Sequence, residues 1–543
     1  MVERPAVMER PVQSVPTEVK VGQLFVGGFD GPRPTPAIED LIESRHLGGV
    51  IYFSRNVERP HQLADCSREL QSLALEATGA PLLVATDQEG GVVSRFDWGT
   101  QLPSQMALGA ADDPDLARRA GRAVGRELAA VGVTTNLAPV LDVNSDPDNP
   151  VIGVRSFGDD PDRVGALGAA FADGLQDAGV AACGKHFPGH GDTDTDSHRS
   201  LPVVDHDRER LDAVEFRPFR RAVDAGIEAL MTTHIAFPAV TGDDGLPATL
   251  SRTLLTDVLR DEFGFDGLVV SDCLEMNAIA GTVGVEEGAI RAIEAGCDVV
   301  LVSHSPGAQR GAIDAVVEAV ESGRLDEGRV DEAFERVRRH KRRYAPAGGA
   351  MEREPSGGSV TPDDEQAAPS WEVAGGAARD VAREVARAGV TVVRDRGGTL
   401  PLDPSVPCHV VGFDGGRESD AEDDRYDPRA FFAALADRGV EVYSHAVTGD
   451  EYTPSFDPGA QVVVATHRAR ADEAQRAAVA ALADAPVDLV VVSLRDPYDV
   501  AALPDAGTYL TGYGYDPATV DALAAVVVGA ATATGELPMS LPE

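Results

Sequence analysis

VAACGKHFPGHGDTDTDSHRSLP, residues 180–202, starts apolar and turns polar at Lys185 and His186. The first five residues suit a strand buried on both faces, and the polar stretch after them, with Gly189 and Gly191, suits a loop. The same switch recurs outward along the chain. Short apolar runs at 24–28, 49–53, 82–87, 134–137, 229–233, 268–271 and 298–302 complete a set of eight predicted strands. Ala-rich amphipathic stretches such as 114–131, 162–178, 211–225 and 285–295 lie between them. Eight strands with intervening helices predict an N-terminal (β/α)8 TIM barrel. Polar groups follow the strands: Asp87 and Glu89 the third, Asp142 and then Arg155 the fourth, Lys185 and His186 the fifth. His234 follows the sixth, Asp272 the seventh, and Ser303 and His304 the eighth. Strand C-termini form the active-site face of such a barrel, so a set of polar groups gathered there from independent strands points to a site.

Residues 345–370 are rich in Pro, Gly, Ser and acid and offer little to bury, which predicts a flexible linker. The expected organisation is a barrel domain over 1–344, the linker, and a second domain over 371–543. Strand-like runs at 390–394, 409–413, 441–444, 462–466 and 489–493, with Ala-rich helices between, predict a C-terminal α/β/α sandwich. That domain has no GxGxxG or P-loop pattern, so no nucleotide is expected.

The 543 residues carry 48 Lys+Arg against 89 Asp+Glu, a formal net charge of −41, and this polyanion disfavours nucleic acid and anionic membranes as partners. Lysine occurs only at positions 20, 185 and 341. Such a skew fits adaptation to molar salt, where the Debye length falls to roughly 3 Å and many carboxylates coexist on one surface. Cys66, Cys183, Cys273, Cys297 and Cys408 are scattered without a CxxC pair, so neither a disulfide framework nor a cysteine zinc site is expected. With no secretory signal and no apolar run of membrane-spanning length, the expectation is a soluble cytoplasmic protein. The oligomeric state is left open.

Residues 185–202 pack one Lys, three His and three Asp around a Gly-bearing turn. Asp192, Asp194 and Asp196 resemble a D-x-D-x-D calcium loop, but Ser197 stands where the turn Gly belongs and Val203 where the bidentate Glu belongs. His186, His190 and His198 lack zinc spacing, so no metal is expected. A polar surface loop is one remaining reading. The other is acid/base chemistry: Asp196 and His198, two apart, share a side in an extended segment, and a carboxylate beside an imidazole orients it and raises its pKa toward working pH. In VVSDCLEM, residues 269–276, Asp272 ends an apolar strand, where an ionised carboxylate is costly unless paired or used; Arg155, Lys185 and His186 are candidates to keep it charged. A carboxylate there suits attack on an anomeric carbon. In TDQEGG, residues 86–91, Asp87 suits sugar hydroxyls, and Gly90 and Gly91 suit close approach of backbone to a ligand. In GVRSFG, residues 153–158, Arg155 offers a planar donor fork.

DQEGG, NLAPVLDV (136–143), GVRSFG, KHFPGHGDTDTDSHRSLP, MTTHIAFP (231–238) and SDCLEM fall in an order that resembles glycoside hydrolase family 3. KHFPGHGD followed by DSH resembles its bacterial β-N-acetylglucosaminidase branch, and VTVVRDRGGTLPL, SLRDPYDV and GELPMSLP resemble the family's second domain. The resemblance implies Asp272 as nucleophile, His198 held by Asp196 as acid/base, and Asp87, Arg155, Lys185 and His186, joined by Glu275, as sugar-binding groups. It implies a retaining two-step displacement on a small oligosaccharide or glycoside, without a cofactor. Two positions depart from the family pattern: Val92 replaces the Arg of DQEGGRV, and Cys273 stands where a second acid is frequent. Phosphorolysis, or the family's β-glucosidase and β-xylosidase activities, are the alternatives.

Overall fold

The computed structural model describes residues 7–193, 201–345, 370–417, 419, 421–423, 425–447, 455–503 and 506–542, with backbone only for 370–374. Ten strands belong to the first domain: β1 (Phe25–Gly27), β2 (Gly49–Tyr52), β3 (Leu83–Thr86), β4 (Gln88–Gly90), β5 (Val93–Ser94), β6 (Thr135–Asn136), β7 (Ala181–Phe187), β8 (Ala229–Thr232), β9 (Leu268–Cys273) and β10 (Val299–Val302). Eight of them close into a barrel in the order β1-β10-β9-β8-β7-β6-β3-β2. The ring shuts where Phe25 pairs in parallel with Val300, and Val26 with Leu301. All eight predicted strands are present. Closure leaves no edge, and a helix ring covers the outside, so β2, β3, β8 and β10 are buried at every residue. The remaining pair, β4 and β5, forms a short hairpin after β3.

Helix starts in the barrel are written locally. Thr35, Asp113 and Asp160 each precede a proline, and each side chain accepts a hydrogen bond from a first-turn N–H. The cap satisfies an orphan donor while proline fixes φ where no N–H is needed.

The second domain holds β11 (Thr391–Asp395), β12 (Cys408–Phe413), β13 (Val442–Val447), β14 (Gln461–Thr466), β15 (Asp488–Ser493) and β16 (Thr508–Thr511), ordered β11-β16-β15-β14-β12-β13. Only β11 runs antiparallel to its neighbour. Alternation sends successive valines to opposite faces. Val410, Val463 and Val490 pack with Phe431 and Leu523 on one side, while Val411, Val464 and Val491 pack with Val479 and Leu482 on the other. This is the predicted three-layer sandwich. Strand β16 was not expected: its four residues lie between Gly507 and Gly512, too short a run to register as periodic.

The two domains are stitched together. The helix Ser370–Gly389 packs on the barrel helices Gln105–Ala111 and Pro114–Ala130, and both terminal nitrogens of Arg119 donate to Glu384 at 2.7 Å. Near the C-terminus, Asp159 N–H donates to the Pro538 carbonyl at 3.2 Å. The expected linker falls almost wholly in 346–369, outside the described residues. No helix among the described residues is long and apolar enough to cross a membrane.

Candidate active site

The C-terminal ends of the barrel strands open into a cavity of about 580 Å³. Asp87, Arg155, Lys185, His186, Asp272 and Glu275 all line it, so the structure gathers every described residue of the expected set. Asp196 and His198 lie outside the described residues.

The centre of the cavity wall is a charge network built from three strand ends. Lys185 Nζ, at the end of β7, lies 2.7 Å from Asp87 Oδ1 and 2.7 Å from Glu89 Oε1. Arg155 clamps Glu89 with Nε on Oε2 at 2.9 Å and Nη2 on Oε1 at 2.8 Å. Burial alone pushes the Glu89 carboxyl up, but Arg155 and Lys185 outweigh it and hold the group well below the usual carboxylate range. Burial likewise lowers Lys185, and the carboxylates of Asp87 and Glu89 reverse the sign, so the ammonium stays charged.

A second pair fixes the start of the histidine loop. His186 Nδ1 lies 2.8 Å from Asp142 Oδ2, and Asp142 Oδ1 accepts the N–H groups of His186 at 3.1 Å and His190 at 2.7 Å. Burial raises the Asp142 carboxyl, and His186 overrides it downward. An ionised carboxylate only accepts, which places the imidazole proton on Nδ1 of His186. His190 is pushed down to about 4 by burial, with the neighbouring His186 adding to the shift.

Asp272 ends β9, and its Oδ1 accepts the Cys273 N–H at 2.7 Å. Around it, Arg155 and Lys185 hold Glu89, and His186 holds Asp142. The donor fork of Arg155 therefore faces Glu89, with its Nη1 on the Val151 carbonyl at 3.0 Å. Glu275 accepts the N–H groups of His304 at 2.7 Å and Ser305 at 2.8 Å, which ties the β9 end to the loop after β10. Gly90 and Gly91, both at positive φ, pack closely against the segment 102–104. A Cβ on Gly91 would lie 2.7 Å from the Ser104 Cβ.

Several groups in and behind the wall were not singled out from sequence. Glu89 and Asp142 read only as polar residues near strand ends, because their partners come from other strands. The second domain also enters the cavity. Asp423 Oδ2 accepts Arg95 Nη1 at 3.0 Å and the Ser94 N–H at 3.0 Å, while its Oδ1 accepts Ser54 Oγ at 2.5 Å. Arg95 also lies 3.7 Å from Asp87. No local pattern could reveal a partnership across 328 positions. Val92, the departure from the family pattern, is buried among apolar neighbours, and Arg95 is one of the arginines that line the cavity.

A closed parallel barrel with a charge-lined cavity at its strand C-termini, and a carboxylate at a strand end within it, has the build of a glycosidase. Residues 16–340 match the glycosyl hydrolase family 3 N-terminal domain. β-Hexosaminidase A of Pseudoalteromonas piscicida is 29% identical over 565 residues, covering 93% of this chain and 91% of that one. A β-hexosaminidase of Thiobacillus denitrificans is 44% identical over 270 residues, 48% of this chain and 72% of that one. The solved structure of a glycoside hydrolase family 3 β-N-acetylglucosaminidase from Paenibacillus sp. is 41% identical, with TM-score 0.87 over 97% of this chain and 99% of that one. The chain belongs to glycoside hydrolase family 3.

Proposed function

We propose that the protein is a retaining β-N-acetylhexosaminidase that removes terminal β-linked N-acetylglucosamine by double displacement. The observation that carries this reading is the Asp272 carboxylate in the cavity wall, on the barrel whose β7 end runs into KHFPGHGDTDTDSH. The names of the relatives, β-hexosaminidase and β-N-acetylglucosaminidase, support the substrate class.

In this mechanism Asp272 attacks the anomeric carbon while His198, held by Asp196, protonates the leaving oxygen. The C1–O bond to the leaving group breaks and an ester to Asp272 forms. His198 then takes a proton from water, whose oxygen displaces the carboxylate and restores the starting configuration. Asp87, Lys185, Arg155, His186 and Glu275 form the sugar-binding wall, with Glu89 keeping Lys185 and Arg155 in place and Asp142 orienting His186.

The test is turnover of an aryl β-N-acetylglucosaminide in concentrated salt, with product configuration read by NMR. Asp272→Asn is expected to lose on the order of 10⁴-fold in kcat or more, as enzymes do without a covalent nucleophile. His198→Asn is expected to lose about 10²–10⁴-fold, the usual worth of a general acid. Full activity of Asp272→Asn would sink the mechanism. Sugar 1-phosphate formed when phosphate is added would make the acceptor phosphate instead of water.

A further inference from the structure

Below the histidine loop, away from the charges that hold Glu89, three side chains converge. Asp192 lies just before the segment 194–200, His206 lies after it, and Glu215 begins the helix Phe216–Asp224. Each offers one ligand atom, and the three atoms lie within 4.8 Å of one another. His206 Nε2 is in close contact with Asp192 Oδ2. Glu215 is 3% exposed, and only one of its oxygens is used: Oε1 accepts Arg210 Nη2 at 3.2 Å, while Oε2 has no hydrogen-bond partner. The loop rests directly on this residue, since a Cβ on Gly189 would lie 3.0 Å from the Glu215 Cβ.

A buried carboxylate oxygen without a donor is costly. Glu215 Oε2 has no donor to satisfy it, and a cation bound among these three groups would be shared by both carboxylates. We infer that Asp192, His206 and Glu215 form a binding site for a divalent transition cation of the zinc class. An imidazole nitrogen beside two carboxylate oxygens suits zinc better than calcium or magnesium, which prefer all-oxygen shells. Zinc takes such ligands at about 2.0–2.2 Å, so the three atoms close on one ion with shifts on the order of 1 Å. Asp192 and His206 are partly exposed, at 23% and 37%, which leaves room for water as the fourth ligand.

The ion would pin the two ends of the chain between residues 192 and 206. On the reading that Asp196 and His198 form the acid/base pair, that pin sets the anchorage of the catalytic loop. Ion binding itself does not depend on that reading.

The experiment is calorimetric titration of the chelator-stripped full chain with zinc chloride, in phosphate-free concentrated salt, alongside thermal unfolding with and without the ion. One equivalent should bind and raise the melting temperature. His206→Asn and Glu215→Gln, each checked for folding by circular dichroism, should bind at least tenfold more weakly, while Asp196→Asn/His198→Asn should bind like the parent. No binding by the parent overturns the inference, as does equal binding by both single variants. So does loss of binding only in the Asp196→Asn/His198→Asn variant, which would place the ion on those residues. Because the readout is binding, a failure here is separate from a failure of the glycosidase mechanism.

Discussion

Both domains end parallel strands in buried ionisable groups, and they treat them in opposite ways. At the barrel mouth, opposite charges arrive from separate segments of the chain: Glu89 meets Arg155 and Lys185. Those groups stay charged despite burial. At the end of β15 in the second domain, burial pushes Asp496 and Asp499 up, the charge of Asp496 adds to the shift of Asp499, and Asp499 reaches about 8. His467, at the end of β14, is driven down to about 3 by burial, and its Nε2 has no partner. The same architecture therefore holds fixed charge where the cavity opens and suppresses charge in the second domain. A preorganised field is useful only where a substrate meets it.

The largest effect expected from this contrast is at Glu89. Glu89→Gln leaves Arg155 and Lys185 buried with one carboxylate fewer, and breaking a buried pair costs about 3–5 kcal/mol. The urea midpoint should fall accordingly, and turnover should drop because Lys185 and Arg155 lose their anchor. The pH dependence has a defined sign. The Glu89 carboxyl lies below its ordinary value of 4.5 when folded, so its contribution is present above about pH 4.5 and is lost as pH falls through the folded value. A cost under about 1 kcal/mol would mean that the network is not what holds these charges.

Asp423 tests whether the second domain's contribution to the cavity is functional. Its carboxylate receives Arg95, the Ser94 N–H and Ser54, and Arg95 in turn faces Asp87. Hydrogen bonds to charged groups are worth about 1.5–3 kcal/mol. Asp423→Ala should raise KM for an aryl glycoside about tenfold, the equivalent of about 1.4 kcal/mol, with kcat changed far less. Unchanged KM would reduce the contact to a structural clasp between domains.

The barrel was legible because each strand repeats one local sentence: an apolar run, a polar end, then a helix, three of them opened by Thr-Pro or Asp-Pro at Thr35, Asp113 and Asp160. Asp87, Lys185, His186 and Asp272, which line the cavity, sit at those polar ends, so position along the strand singled them out as candidates. What stayed hidden was partnership. The partnership of Arg155 and Lys185 with Glu89 was not visible from strand position. Asp142 and Asp423 gain meaning only from residues far away in sequence. Strand β16 and the hairpin β4–β5 are too short for periodicity to speak.

The smallest effect is expected at Asp499, and it is the sharpest test of the contrast. A carboxyl raised to about 8 is mostly protonated at pH 7 and resembles an amide in charge and shape. Its Oδ1 accepts the Arg470 N–H at 3.0 Å, a bond that an asparagine oxygen reproduces. Asp499→Asn should therefore cost less than about 1 kcal/mol at neutral pH, well below the loss expected at Glu89. The pH slope runs opposite to the barrel's. A carboxyl whose folded value lies above its ordinary 3.8 stabilises most below about pH 4 and loses that contribution as pH rises through about 8. Asp496 shares this titration, so the variant should flatten the slope without abolishing it. Calorimetric scans between pH 5 and 9 read this directly: the parent should lose stability toward pH 9, and Asp499→Asn should lose less. Equal slopes in the two proteins would mean that Asp499 is ionised in the fold, and the second domain would then hold charge much as the barrel does.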